Sequence, residues 1–378
     1  MLPVANLTLM KKTWIVPLTG LLVASLSLSG CGVRLDDGSG DAVTASTTQM
    51  ARYRASACQE AIGAGIEHIF AGDPKLAAFK DNFAARSKVL GPRWSSPQVK
   101  MSGQTKPENL PEPAAYRVPG NGQALVQKLA DCQAEILNDA GELIDLARAQ
   151  QADGEGDEEA TARAAETASL AKVLFATGIA MERENKQIAA ATALTLPPAK
   201  PTPLTPQRYQ EGKWIPEKID DSEKRVESER NLSEQQKKEL TRGIRQLDAL
   251  RFNLEKNVAE DGDVKLKNLV SKTVTPLLLR QIQELVTQLG TDPREAVYQP
   301  YPGLRGADRA AIAKGLSLAS GVQLNLLTVV TDVQPALIAQ TLSSLLDLQA
   351  QLGQDPGALA GLNAQEAKLN IIPSPAGQ

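Results

Sequence analysis

A chain of 378 residues with 41 Lys and Arg against 44 Asp and Glu carries a formal net charge of −3, which gives no electrostatic reason to bind nucleic acid or an anionic lipid surface. Aromatic residues are 3% of the chain, too few for a surface that reads bases or sugars by stacking. Alanine, leucine and glutamine are plentiful and β-branched runs are few, a composition that favours helices.

Lys11 and Lys12 precede an uncharged run, Trp14 to Gly30, which ends in Leu28-Ser29-Gly30-Cys31. A basic start, a short apolar middle and a small-residue exit are the three parts of a secretory signal. Pro17, Gly20 and several serines fit poorly with a retained spanning helix, which wants about 20 strongly apolar residues. Met10 gives the compact start, since Met1 to Leu9 adds no feature of a signal. With a cysteine at its edge, the segment from Met10 to Cys31 resembles the signal of bacterial lipoproteins. The resemblance implies cleavage between Gly30 and Cys31, a diacylglycerol on the Cys31 thiol and acylation of the new amino group. One acyl chain holds a protein only marginally, at about 0.8 kcal/mol per buried CH₂, whereas two or three hold it for good. Gly32, not Asp, follows Cys31, and under the same resemblance this points to the outer membrane, facing the periplasm. The resemblance stops at Cys31.

After the 1–30 signal, residues 31–47 read as the lipidated cysteine and a Gly/Ser/Asp-rich tether. A first helix is expected from about Thr48 to Ala71, with Cys58, Ile62, Ile66 and Ile69 on one face and Gly72 as its stop. Asp73-Pro74 reads as cap and first residue of a second helix, with Leu76, Phe79, Phe83 and Leu90 inward and Gly91-Pro92 at its end. Six prolines in 91–121 mark a long loop. Asn121 can cap a third helix to about Gln151, with the seam Leu125, Leu129, Cys132, Ile136, Ala140, Leu143 and Ala147. A fourth runs from about Glu158 to Leu194, its seam including Ala171, Leu174, Gly178, Met181, Asn185 and Ile188. These four make an expected N-terminal domain, 48–194.

Residues 195–216 hold six prolines and read as a semi-rigid linker, or less readily as a ligand segment for a partner. The expected C-terminal domain, 217–372, opens with a charged helix that starts at Ser222 or Ser233 and reaches about Ala259. Ser233 and Gln236 fit a capping box there. Its stripe is Leu240, Ile244, Leu247, Arg251, Leu254 and Val258, broken by the arginine. Asp263 opens a helix interrupted at Thr275-Pro276 and continued by Leu278, Ile282, Leu285 and Leu289 to Gly290. Residues 306–352 hold only five charged residues and read as two buried helices joined near Gln334-Pro335, although the alternation of Val322, Leu324, Leu326 and Val330 also fits a strand. Gln288-Leu-Gly-Thr-Asp-Pro293 resembles Gln351-Leu-Gly-Gln-Asp-Pro356, each placed to end a leucine-rich helix. Residues 373–378 are a tail. The fold class is all-α: antiparallel helical bundles in two halves joined by a proline-rich linker.

No catalytic residue and no metal ligand set is expected. His68 is the single histidine, so a histidine-based metal site or triad lacks partners at any supporting spacing. Asp153, Glu155 and Asp157 start like a calcium loop, but Glu158 and Ala164 stand where the loop needs Gly and Glu. There is no phosphate-binding glycine loop, Gly-x-Ser-x-Gly elbow or His-Glu-x-x-His run. Cys58 and Cys132 lie on apolar seams of different helices and, in an oxidising compartment, can form a disulfide or remain buried thiols. No cofactor is expected. The expected partners are the membrane, through lipid on Cys31, and another envelope protein, for which 306–352 is the candidate surface if it is not core; no nucleic acid is expected. The functional expectation is a lipid-anchored structural or interaction component of the bacterial envelope. The alternative is a helical module binding an apolar small molecule or lipid.

Overall fold

The computed structural model describes residues 46–91, 116–153, 157–200, 209–210, 213–214, 232–261, 263–330, 334–359, 361–362 and 367–369. Gly30, Cys31 and the tether to residue 45 lie outside them, as do most of the 91–121 loop and the 373–378 tail. The described body is all-α. The described residues, all from 46 onward, belong to one compact unit.

Helix α1 spans Thr47–Ile69. Its start is fixed by a capping box: the Gln49 amide donates to Ser46 Oγ, and the Ser46 amide donates to Gln49 Oε1 at 2.8 Å. It ends two residues short of the expected Ala71, and Gly72 takes a left-handed φ of +82° in the turn that follows. Asp73 accepts from the Lys75 amide and Pro74 opens α2, Pro74–Leu90. Asn121 accepts from the Ala124 amide to start α3, Gly122–Asp153. Asp157 accepts from two amides at the head of α4, Glu158–Thr192.

Contacts along these helices give their directions. Arg54 meets Asp139, Cys58 meets Cys132 and Gly65 lies against Leu125, so α1 and α3 are antiparallel. Gln59 meets Arg86 and Glu67 meets Lys80, so α1 and α2 are antiparallel too. Helices α3 and α4 approach closely where Leu137 fills the space left by Gly178. Among the described helices α4 alone is long and apolar enough to cross a membrane, but 78% of its apolar window is buried inside the body, as befits a core helix.

Within 195–216, Tyr209–Gln210 (β1) and Lys213–Trp214 (β2) pair antiparallel, Tyr209 opposite Trp214 and Gln210 opposite Lys213. Helix α5 spans Glu234–Asp261, headed by the Ser233 and Gln236 box. Arg251 breaks its apolar stripe without leaving an unpaired charge: it donates to Asp248 at 2.7 Å and Glu255 at 2.6 Å, neighbours on its own helix. The expected interruption at Thr275-Pro276 takes another form. Helix α6, Val264–Leu269, passes through a π turn, Val270–Val274, straight into α7, Thr275–Leu289. Pro276 has no amide to donate to the preceding turn, and the wider turn before it absorbs the mismatch.

Helix α8 spans Arg309–Leu326 and α9 spans Gln334–Gln351. The strand that the 322–330 alternation also fitted is absent: α8 runs to Leu326, and Val329 and Val330 both donate to the Leu326 carbonyl in the turn beyond. Gly290 and Gly353, the glycines of the two similar hexapeptides, close α7 and α9 with left-handed φ of +74° and +83°. Helix α5 packs antiparallel on α8, Leu326 over Gly243 and Leu254 over Gly315. Ile312, Leu316, Ala319, Leu324, Ile338, Leu342 and Leu345 are buried, so the apolar faces of α8 and α9, in the low-charge 306–352 stretch, belong to the core.

The buried side chains of α1–α4 and α5–α9 belong to one continuous apolar cluster. Polar bonds also join the halves. Arg148 of α3 donates to the Val330 carbonyl, Lys172 of α4 to Asn325 at 3.2 Å, and Arg86 of α2 to the Ala358 carbonyl at 3.1 Å.

Candidate functional site

Cys31 and Gly30, the residues to which the signal assigns chemistry, lie outside the described residues. Cys58 and Cys132 are joined as a disulfide with Cα atoms 5.9 Å apart, and both are buried. The antiparallel packing of α1 on α3 brings the two seam positions level. His68 sits exposed in the last turn of α1. Asp157, the end of the acidic 153–157 run, serves as the α4 cap. Among the described residues, no three His, Cys, Asp or Glu side chains gather as a metal site.

One turn from the disulfide, two carboxylates share one guanidinium. Arg54 Nε donates to Asp139 Oδ2 at 3.1 Å and lies 3.6 Å from Glu135 Oε1. Asp139 holds the Arg54 guanidinium above its ordinary value. Burial pushes the Glu135 carboxyl up; the Tyr116 hydroxyl, which donates to it at 3.2 Å, opposes the shift. Burial likewise raises the Tyr116 hydroxyl. The ring of Tyr116 also meets Tyr53 of α1 edge-on at 6.2 Å. This cluster ties residue 116, on the far side of the proline-rich stretch, to α1 and α3.

A second cluster was missed by the sequence reading. Arg86 is fully buried between α1, α2 and α4. Its Nε donates to Gln59 at 2.7 Å, Nη1 to Glu184 Oε1 at 3.0 Å and Nη2 to Glu184 Oε2 at 2.5 Å. The guanidinium carbon stands 4.3 Å from the Phe83 ring centre. Asn82 donates to Glu184 Oε1 at 3.0 Å, the oxygen that Arg86 Nη1 also reaches. A bidentate fork satisfies both carboxylate oxygens, which is what makes burial of such a pair tolerable. The signal was present in the sequence: 83, 86 and 90 continue the inward spacing of α2, so Arg86 occupies a seam position, as Glu184 does on α4.

The third feature is an open cleft of about 570 Å³ at the head of α8, lined by Gly303, Arg305, Asp308, Lys314, Ser317 and Gln354 among others. Arg305 and Lys314 are exposed, while Asp308 already caps the helix by accepting from the Ala311 amide at 2.8 Å. Comparison with family models, with curated proteins and with solved structures finds no match to this chain.

Proposed function

We propose that the protein is a lipid-anchored, all-helical structural or interaction component of the bacterial envelope, attached through Cys31 to the outer membrane and facing the periplasm. The observation that carries the reading is the Leu28-Ser29-Gly30-Cys31 end of a basic-then-apolar leader, with Gly32 next in the chain. The Cys58–Cys132 bond supports it, because disulfides persist in an oxidising compartment such as the periplasm. So do the paired or caged charges of the body, which suit a fixed helical scaffold better than a reaction centre. In this reading the lipid fixes one end, the tether gives reach, and exposed helical faces meet another envelope protein.

Cys31→Ser removes the acyl acceptor. The variant is expected to leave the membrane fraction or to accumulate as an unprocessed precursor. Normal maturation with undiminished membrane attachment would overturn the reading.

A further inference from the structure

Beyond α4 the chain turns back along α3. Ala193 ends the helix with a left-handed φ of +53°. Leu194 then seats its side chain at the head of α3, where a Cβ on Gly122 would stand 2.8 Å from Leu194 Cδ1. The Thr195 carbonyl accepts from the Gln123 side chain at 2.8 Å, and the Lys200 ammonium pairs with Asp131 at 2.8 Å. Gln123 and Asp131 are about 12 Å apart along the axis of α3. From Thr195 to Lys200 a helical chain would advance about 7.5 Å and a polyproline one about 15 Å, so the segment is extended between its two holds. The prolines set which extended form it takes. Pro197 and Pro198 have φ fixed near −65°, and each also keeps the residue before it out of helical backbone. Along this stretch Leu196 is 43% exposed, and Pro198 and Ala199 are exposed as well.

We propose that residues 194–200 are a preformed polyproline ligand, presented on α3 to an aromatic-lined groove of a partner protein. Three observations carry this. First, a spacer would only lead away from the body, whereas this stretch is held on α3 at both ends. Second, the side chains left outward are Leu196, Pro198 and Ala199, the short apolar ridge that grooves of aromatic side chains accept. Third, the prolines select the mode of recognition. Neither has an amide to give to a sheet edge, so strand addition is a poor use of this segment, while polyproline docking needs no such donor. Because the extended form is already fixed, association loses little further backbone freedom. The proposal rests on the reading of the body as an interaction component and not on the anchor at Cys31, so its failure leaves the Cys31→Ser outcome untouched.

The test is photo-crosslinking of the full chain in its own cells, with p-benzoylphenylalanine placed at position 199 or, as a control, at the exposed Glu166 of α4. A discrete adduct with another protein is expected at 199 and not at 166. A synthetic peptide of residues 193–200 should compete it away. Pro197→Gly/Pro198→Gly keeps Leu194, Thr195 and Lys200 but frees the backbone between them, and should abolish the adduct while the urea midpoint of the body stays in place. The captured protein, once purified, should bind the peptide with a change in its own tryptophan or tyrosine fluorescence. The same peptide with glycine at both proline positions should bind at least about tenfold more weakly. This last comparison needs no folded body, so it decides even if the double variant fails to fold. The proposal is overturned if position 199 captures no more than 166, if the adduct is a second copy of this chain, or if the peptide does not compete. It is overturned equally if the glycine peptide binds within about threefold of the parent.

Discussion

Removing the Cys58–Cys132 bond acts mainly on the unfolded chain. In the folded body both sulfurs are buried and their seam neighbours Ile62, Leu125, Leu129 and Ile136 are fully buried, so α1 stays packed on α3 whether or not the bond is present. In the unfolded chain the bond closes a loop across 74 residues of separation. In the chain-entropy model that loop stabilises by about 4.5 kcal/mol at 25 °C, an upper figure because the unfolded ensemble retains some compactness. If the body unfolds as one unit, its entropy of roughly 2.1 cal/mol/K per residue turns this into a drop of roughly 6 °C in Tm. The assay is urea unfolding followed by circular dichroism on three samples: oxidised protein, reduced protein and Cys58→Ala/Cys132→Ala. Mass spectrometry of a non-reduced digest first establishes the cross-linked peptide. The oxidised sample should be the most stable, with the other two close together. The reasoning is refuted if the verified bond shifts the unfolding free energy by less than about 1 kcal/mol, or if both thiols alkylate fully in denaturant without reductant.

Two further predictions rest on other contacts. A Cβ at Gly178 would stand 2.5 Å from Leu137 Cδ2 and 2.6 Å from its Cγ, so Gly178→Val should destabilise by about 2 kcal/mol through overpacking between α3 and α4. Adding Leu137→Ala should restore part of the loss in a double-mutant cycle, and simple additivity would refute the contact. At Glu135 the folded-state carboxyl titrates above its ordinary value of 4.5, so between those two values the folded state binds more protons and stability falls as pH rises through that window. Glu135→Gln removes this penalty and should flatten the fall, stabilising at neutral pH by about 0.5 kcal/mol or less, since the side chain is 37% exposed and screened by water. Chemical denaturation at several pH values reads it, and a loss of stability at pH 7 would refute the direction.

Most of the helices were legible because their signals are local. The Ser233/Gln236 box, the Asp73-Pro74 start and the glycines at 290 and 353 each act within one turn of the residue that carries them. The seams were legible because burial recurs at helical spacing, and the level placement of Cys58 and Cys132 followed once α1 and α3 ran antiparallel. What was not legible depends on partners far along the chain. Arg86 stands at the inward spacing of α2, but that spacing does not reveal its partner Glu184, 98 residues away. The crossing of the chain at Ala358 depends on that same arginine, 272 residues earlier. The π turn lay one turn before the proline that causes it, since a missing amide is felt where its acceptor would have been. The low charge of 306–352 could mean core or contact surface, and only the packing of α8 and α9 decides for core.

The cross-link between α1 and α3 also sets a path for mechanical load. A pull on the chain ahead of Ser46 enters the body at the first residue of α1 and can unwind that helix only as far as Cys58. There the tension passes through a covalent bond into the middle of α3. Residues 59–131 lie inside the closed loop and carry none of it, so the rest of α1, all of α2 and the proline-rich stretch after it are shielded from strain. A load applied there would travel down α3 into the rest of the body along a covalent path that bypasses this loop.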